Sequence, residues 1–141
     1  MYNEKLIGKM HWERFLNINA LSSCRWFGKT VFIRNLSSTK YVGEVELDFF
    51  KEYWKYKNEQ IEIFGFICKK SCDKIMSVHC RMVEGQIYEI LKKNGNHKVI
   101  MHWYSGNEMW LEKFINLGAY FSVNSNIMES ANGKHMIKKS Q

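Results

Sequence analysis

Three runs of β-branched and aromatic residues end on a carboxylate or an imidazole, and each then gives way to a helical period. They are Tyr41–Phe49 (YVGEVELDF), Ile75–Arg81 (IMSVHCR) and Lys98–Trp103 (KVIMHW). Strand followed by helix, repeated, argues for a parallel sheet joined by right-handed crossovers. Such sheets gather functional groups at the carboxyl ends of their strands. Strict alternation along the first run puts Val42, Glu44, Glu46 and Asp48 on one side, with Tyr41, Gly43, Val45 and Leu47 on the other. Three carboxylates on one face would repel each other in a packed core. That face is therefore expected to leave the core at a site holding cations.

Between and after these strands the helical period is regular. Gln60, Phe64, Ile67 and Cys68 form one inward stripe of a helix over 58–71. Val83, Ile87, Ile90 and Leu91 form another over 83–94, which Gly95 stops. Ser105-Gly106-Asn107-Glu108 has capping-box spacing and opens a third, with Leu111, Phe114 and Ile115 inward and Gly118 at its end. Residues 120–124 read as a fourth strand, and the tail allows one helical turn around 135–139. No glycine-rich phosphate loop follows any strand, so a (β/α) barrel fits better than a Rossmann sheet. A full barrel needs at least about 200 residues. The expected class is thus α/β: a partial TIM (β/α) barrel of about four parallel strands.

The expected organisation is a mostly helical N-terminal segment over 1–40, a partial barrel core over 41–126, and a basic C-terminal tail over 127–141. In the first, Trp12, Phe15 and Leu16 have helical spacing, and Val31, Phe32 and Leu36 suggest a second short helix ending near Ser37. At 141 residues the chain is one domain at most, and its formal charge of +7 favours anionic partners. The lysines are scattered, however, which describes most soluble basic surfaces equally well. No run is long and apolar enough to span a bilayer, and the start lacks a signal-peptide core. A soluble cytoplasmic protein without a membrane partner is the expectation. Four cysteines, Cys24, Cys68, Cys72 and Cys80, follow no secreted framework and include no C-x-x-C pair, so they read as reduced and packed.

Glu44, His79 and His102 come from three strand ends and would converge in a barrel. A carboxylate with two neutral imidazoles suits zinc, manganese or a similar divalent ion, and a carboxylate can bridge two ions in phosphodiester chemistry. Arg81, beside His79, could hold a phosphate by paired N–H bonds, while Trp103 and Tyr104 could stack a splayed base. Taken singly, each has an ordinary reading: a satisfied strand histidine, or an aromatic core former. The shared pattern is what points to a site. Asp48 and Ser105 lie close behind these strand ends. His11, His97 and His135 read as surface or packing residues.

These motifs resemble those of a known family. GEVELDF at Gly43–Phe49 is similar to the G-E-(I/V/C)-G-L-D signature of TatD-type metal-dependent hydrolases. SVHCR at Ser77–Arg81 resembles that family's strand ending in H-S-R or H-C-R, and HWYSG at His102–Gly106 its H-C-F-S-G. The HWYSG spelling, preceded by YVGEV, looks closest to the TatD-like nucleases of Qat anti-phage defence systems. The resemblance implies a TIM-barrel deoxyribonuclease acting on DNA with divalent metal ions (zinc, manganese or magnesium). It implies that Glu44 bridges two metals, that His79 and His102 complete one of them, and that Arg81 steadies the phosphate. The family's other metal takes an N-terminal H-x-H pair and an aspartate of a late E-T-D motif. Neither occurs here, so the chain reads as an internal piece of the barrel. Glu46 stands where the family has glycine, adding a carboxylate that could bind or crowd. Three expectations follow: a metal-dependent DNA phosphodiesterase, a non-catalytic or split defence-complex subunit whose missing strands come from a second polypeptide, or a plain binder acting through its lysines.

Overall fold

The computed structural model describes residues 28–139. The helical period around Trp12, Phe15 and Leu16 lies outside the described residues, as do His11 and Cys24. Helix α1 (Lys29–Leu36) buries Phe32 and Leu36 and leaves Val31 exposed, because the three cannot all share one side of two turns. Strand β1 (Tyr41–Asp48) leads through a 3-10 helix (Lys51–Tyr56) into α2 (Lys57–Lys70). Then come β2 (Ile75–Arg81), α3 (Glu84–Asn94), β3 (Val99–Met101), α4 (Glu108–Leu117) and β4 (Tyr120–Phe121). Two short helices close the described chain, α5 (Ser125–Glu129) and α6 (Ala131–Lys139). The tail is therefore more ordered than one turn: Met136 is buried, and Lys139 bonds Glu108 and Glu112 of α4.

The sheet runs β1-β2-β3-β4 with every pair parallel. Each crossover thus steps one strand in the same direction, and right-handed connections place the crossover helices α2, α3 and α4 on the same face. Val42, Val45, Leu47, Met76, Val78, Val99 and Met101 cover that face, all at most 1% exposed. They pack with Phe64, Ile67 and Cys68 of α2, Ile87 and Leu91 of α3, and Leu111 and Phe114 of α4 in one core. Gly95 and Gly118 end α3 and α4 in the left-handed conformation, at φ 70° and 88°, as their positions suggested. The architecture is the expected α/β arrangement of four parallel strands with intervening helices.

Strict alternation in β1 fails at one place. Val42 pairs with Met76 and Val45 with Val78, so three steps on β1 answer two on β2. The extra residue is a bulge at Gly43-Glu44. Gly43 has φ +144°, and a Cβ there would sit 2.6 Å from the Ser77 carbonyl oxygen, so the close approach of the strands demands glycine. Beyond the bulge the side-chain parity flips. Val42 therefore joins Val45 and Leu47 on the helix-covered face, instead of sharing a side with Glu46 and Asp48. Glu46 falls opposite His79 and Asp48 opposite Arg81, on the face away from the described crossover helices.

Candidate metal centre at the strand ends

Glu44 projects from the bulge, His79 from the open face of β2, and His102 from the first residue after β3. The His102 N–H still bonds the Val78 carbonyl at 2.8 Å, which extends the ladder one residue and turns the imidazole to the same face. The Glu44 carboxylate meets both rings. Its Oε1 lies 3.6 Å from His79 Nδ1 and its Oε2 lies 3.8 Å from His102 Nε2. The ring centroids of the two histidines are 6.0 Å apart. All three side chains are about a quarter to a third exposed, so the group opens to solvent.

Each imidazole is held from behind. His79 Nδ1 is 3.2 Å from the His102 carbonyl oxygen. Donation of its N–H there leaves Nε2 with the lone pair. The Ser122 hydroxyl accepts the Trp103 N–H at 3.0 Å and lies 3.5 Å from His102 Nδ1, which turns Nε2 toward Glu44. The Trp103 ring stacks on His102 with centroids 4.6 Å apart. Burial lowers the His102 pKa and a protonated His79 would lower it further, with Glu44 opposing. The net effect favours a neutral imidazole, the form a metal ligand needs.

The donor types, one carboxylate and two imidazoles, suit a divalent cation, and His102 Nε2 is the ring nitrogen that faces the carboxylate with its lone pair free, 3.8 Å from Glu44 Oε2. The fit is open and not a finished cage. Among the described residues no three His, Cys, Asp or Glu side chains close into a metal-holding group. His79 presents Nδ1 to the carboxylate, and that nitrogen already faces a carbonyl.

The supporting residues divide. Asp48 is buried, and its Oδ1 accepts the Phe50 N–H at 2.7 Å while Oδ2 faces Arg81 Nη1 at 3.9 Å. Arg81 itself is half exposed, its guanidinium 4.2 Å above the Phe50 ring. Trp103 is about half exposed beside His102. Two expectations change. Tyr104 is not available to stack a base: it is 4% exposed, packs edge-on against Phe114 and Phe121, and donates its hydroxyl to the Asn107 carbonyl. Ser105 is exposed and does not cap α4. Asn107 caps it, its side-chain oxygen accepting from Trp110 N at 3.1 Å, and the hydroxyl that meets His102 is that of Ser122. Ser122 follows β4 as the histidines end β2 and β3, so the same strand-end logic would have found it.

The sequence matches the TatD related DNase family over residues 19–141. The chain belongs to that family. Its fold is similar to that of YJJV, a TatD homolog from Escherichia coli K12, at a TM-score of 0.62 and 19% identity. The match covers 88% of this chain and 52% of that one, so the chain spans about half the length of that TatD homolog. No curated protein matches it. Glu44, His79 and His102 all lie within the matched residues.

Proposed function

We propose that the chain acts in metal-dependent hydrolysis of phosphodiester bonds in DNA, with Glu44, His79 and His102 as the protein ligands of a divalent ion. The observation that carries this is one carboxylate directed at two imidazoles, an oxygen toward each, on the open face of the sheet. A divalent ion held there would supply Lewis-acid activation of water and neutralise charge on the phosphate. Glu44 fixes the two rings relative to each other. Ser122 and the His102 carbonyl orient His102 and His79 from behind, the usual job of groups backing metal ligands. Arg81, held near Asp48 and Phe50, would bind a non-bridging phosphate oxygen. Trp103 offers the half-exposed face on which an adjacent base would stack. The two imidazoles favour zinc or manganese over magnesium, which prefers an all-oxygen ligand set. The HWYSG and YVGEV spellings support membership of the Qat-type defence nucleases.

Ligands for a second ion are not among these residues, since no H-x-H or E-T-D motif occurs in the sequence. They would come from further barrel strands, and a second polypeptide is one source. A non-catalytic scaffold subunit is the alternative reading, supported by the absence of a closed three-donor group among the described residues. The test is titration of the purified chain with manganese or zinc, followed by calorimetry and by cleavage of labelled DNA. Saturable one-ion binding that Glu44→Ala abolishes, with cleavage lost alongside, supports the hydrolase. A chain that retains no ion, or a Glu44→Ala variant that binds and cleaves like the parent, sinks it.

A further inference from the structure

At the end of β1 the sequence FFKEYWKYK packs cations and aromatic rings together. Arg81 lies 4.2 Å and Lys51 5.3 Å from the Phe50 ring centroid, Lys55 4.9 Å from that of Tyr56, and Lys57 4.3 Å from that of Trp54. Phe49 meets Trp54 edge to face at 5.8 Å, so the indole is fixed in orientation while 54% of the residue stays in solvent. Trp54 is thus a half-exposed ring set in orientation by Phe49, with an ammonium group beside it.

The place of this segment matters as much as its composition. Arg81 follows His79 by two residues on the same open face, about 7 Å along the strand. The Phe49 N–H bonds the Arg81 carbonyl at 3.5 Å, which ties the segment to the strand that carries His79. A second observation points the same way. The turns after β1, β2 and β3 each hold a non-glycine residue in the left-handed region: Lys51 (φ 32°), Met82 (φ 60°) and Trp103 (φ 47°). All three side chains are exposed. Residues held in this sparsely populated region cluster where a site needs side chains aimed at a ligand.

We infer that Phe50, Trp54 and the cations around them form a platform for an unpaired DNA strand, Trp54 stacking a base while Lys51 and Arg81 face the flanking phosphates. The inference rests on the nuclease reading above and extends it. Trp103 lies beside the metal ligands, and the Trp54 platform would hold a nucleotide farther along. Stacking is available only to a base whose face is free, so the platform distinguishes unpaired from duplex DNA.

The experiment is fluorescence anisotropy with the full chain in chelator, so that binding is read without cleavage. The probes are a labelled oligothymidylate and a blunt hairpin duplex. Trp54→Ala is expected to weaken oligothymidylate binding about tenfold or more and to change duplex binding less than about twofold. Trp54→Phe, which keeps a ring, is expected to retain most of the affinity. Equal losses for both probes, no loss in Trp54→Ala, or no oligothymidylate binding by the parent chain each overturn the platform. Its fate is separable from that of the nuclease reading. A parent that cleaves with manganese while Trp54→Ala binds normally removes the platform alone. Selective loss of oligothymidylate binding in Trp54→Ala, in a chain that neither manganese, zinc nor magnesium makes cleave DNA, removes the nuclease alone.

Discussion

Gln60 is a polar residue on the apolar stripe of α2, 3% exposed, and its amide grips the backbone at the end of β1. Oε1 accepts the Asp48 N–H at 2.9 Å, while Nε2 donates to the Asp48 carbonyl at 2.9 Å and the Tyr53 carbonyl at 3.3 Å. The side chain thus acts as a piece of neighbouring strand, pairing both backbone groups of one residue. Gln60→Met keeps the volume and removes all three bonds. It leaves the buried Asp48 N–H and C=O without partners, each at a cost of about 1–3 kcal/mol. Partial relaxation brings the expected loss to about 3 kcal/mol. With a slope of roughly 1.5–2 kcal/mol per molar urea, the midpoint should fall by about 1.5–2 M with the slope unchanged. Gln60→Ala should lose slightly more, because a cavity is added to the same two orphaned groups. Tryptophan fluorescence in urea measures both. A Gln60→Met midpoint within about 0.3 M of the parent would show that the amide clamp contributes little, and the reasoning would be wrong.

Three further outcomes are expected. Gly43→Ala should destabilise the fold by about 2–4 kcal/mol and loosen the Glu44 contacts, since the new Cβ would meet the Ser77 carbonyl oxygen at 2.6 Å in a backbone conformation side chains avoid; thermal unfolding reads it, and a change under 1 kcal/mol refutes the bulge. Burial, with Glu84 nearby, pushes the Cys80 thiol up to about 12, and burial raises Cys68 as well. Both therefore stay protonated at pH 8, so iodoacetamide should label exposed Cys72 and spare these two until denaturant is added, as peptide mass mapping will report. Trp103→Ala should weaken DNA binding about fivefold or more, whereas Tyr104→Phe should leave binding unchanged and cost about 1 kcal/mol of stability through the lost bond to the Asn107 carbonyl. Reversal of that pair would return Tyr104 to the binding surface.

Much of the fold was readable because the determining signals are local. Helical stripes and terminal glycines placed α2, α3 and α4 to within a residue or two, and hydrophobic runs placed β1 and β2. What the runs overstate is length: Lys98–Trp103 reads as a six-residue strand, yet β3 is Val99–Met101, with one ladder bond beyond it from the His102 N–H before the chain turns at Trp103. The cap of α4 differs from the sequence expectation for a similar reason. Ser105 and Asn107 are both good capping types two residues apart, and choosing between them requires knowing where Tyr104 is buried.

The site was legible in kind and less so in geometry, and the bulge explains why. Residue types at strand ends named Glu44, His79 and His102, but strict alternation put Glu44 on the same side as Val42, a residue that is buried against the helices. A single glycine carries the correction. Gly43 lets β1 approach Ser77 closely, the bulge absorbs one residue, and the strand emerges with Val42, Val45 and Leu47 packed inward. Glu44 is then free to meet two rings that reach the open face from β2 and β3. The glycine that the G-E pair requires is therefore a geometric part of the carboxylate's placement, and the strand's core packing and its candidate chemistry depend on the same bulge.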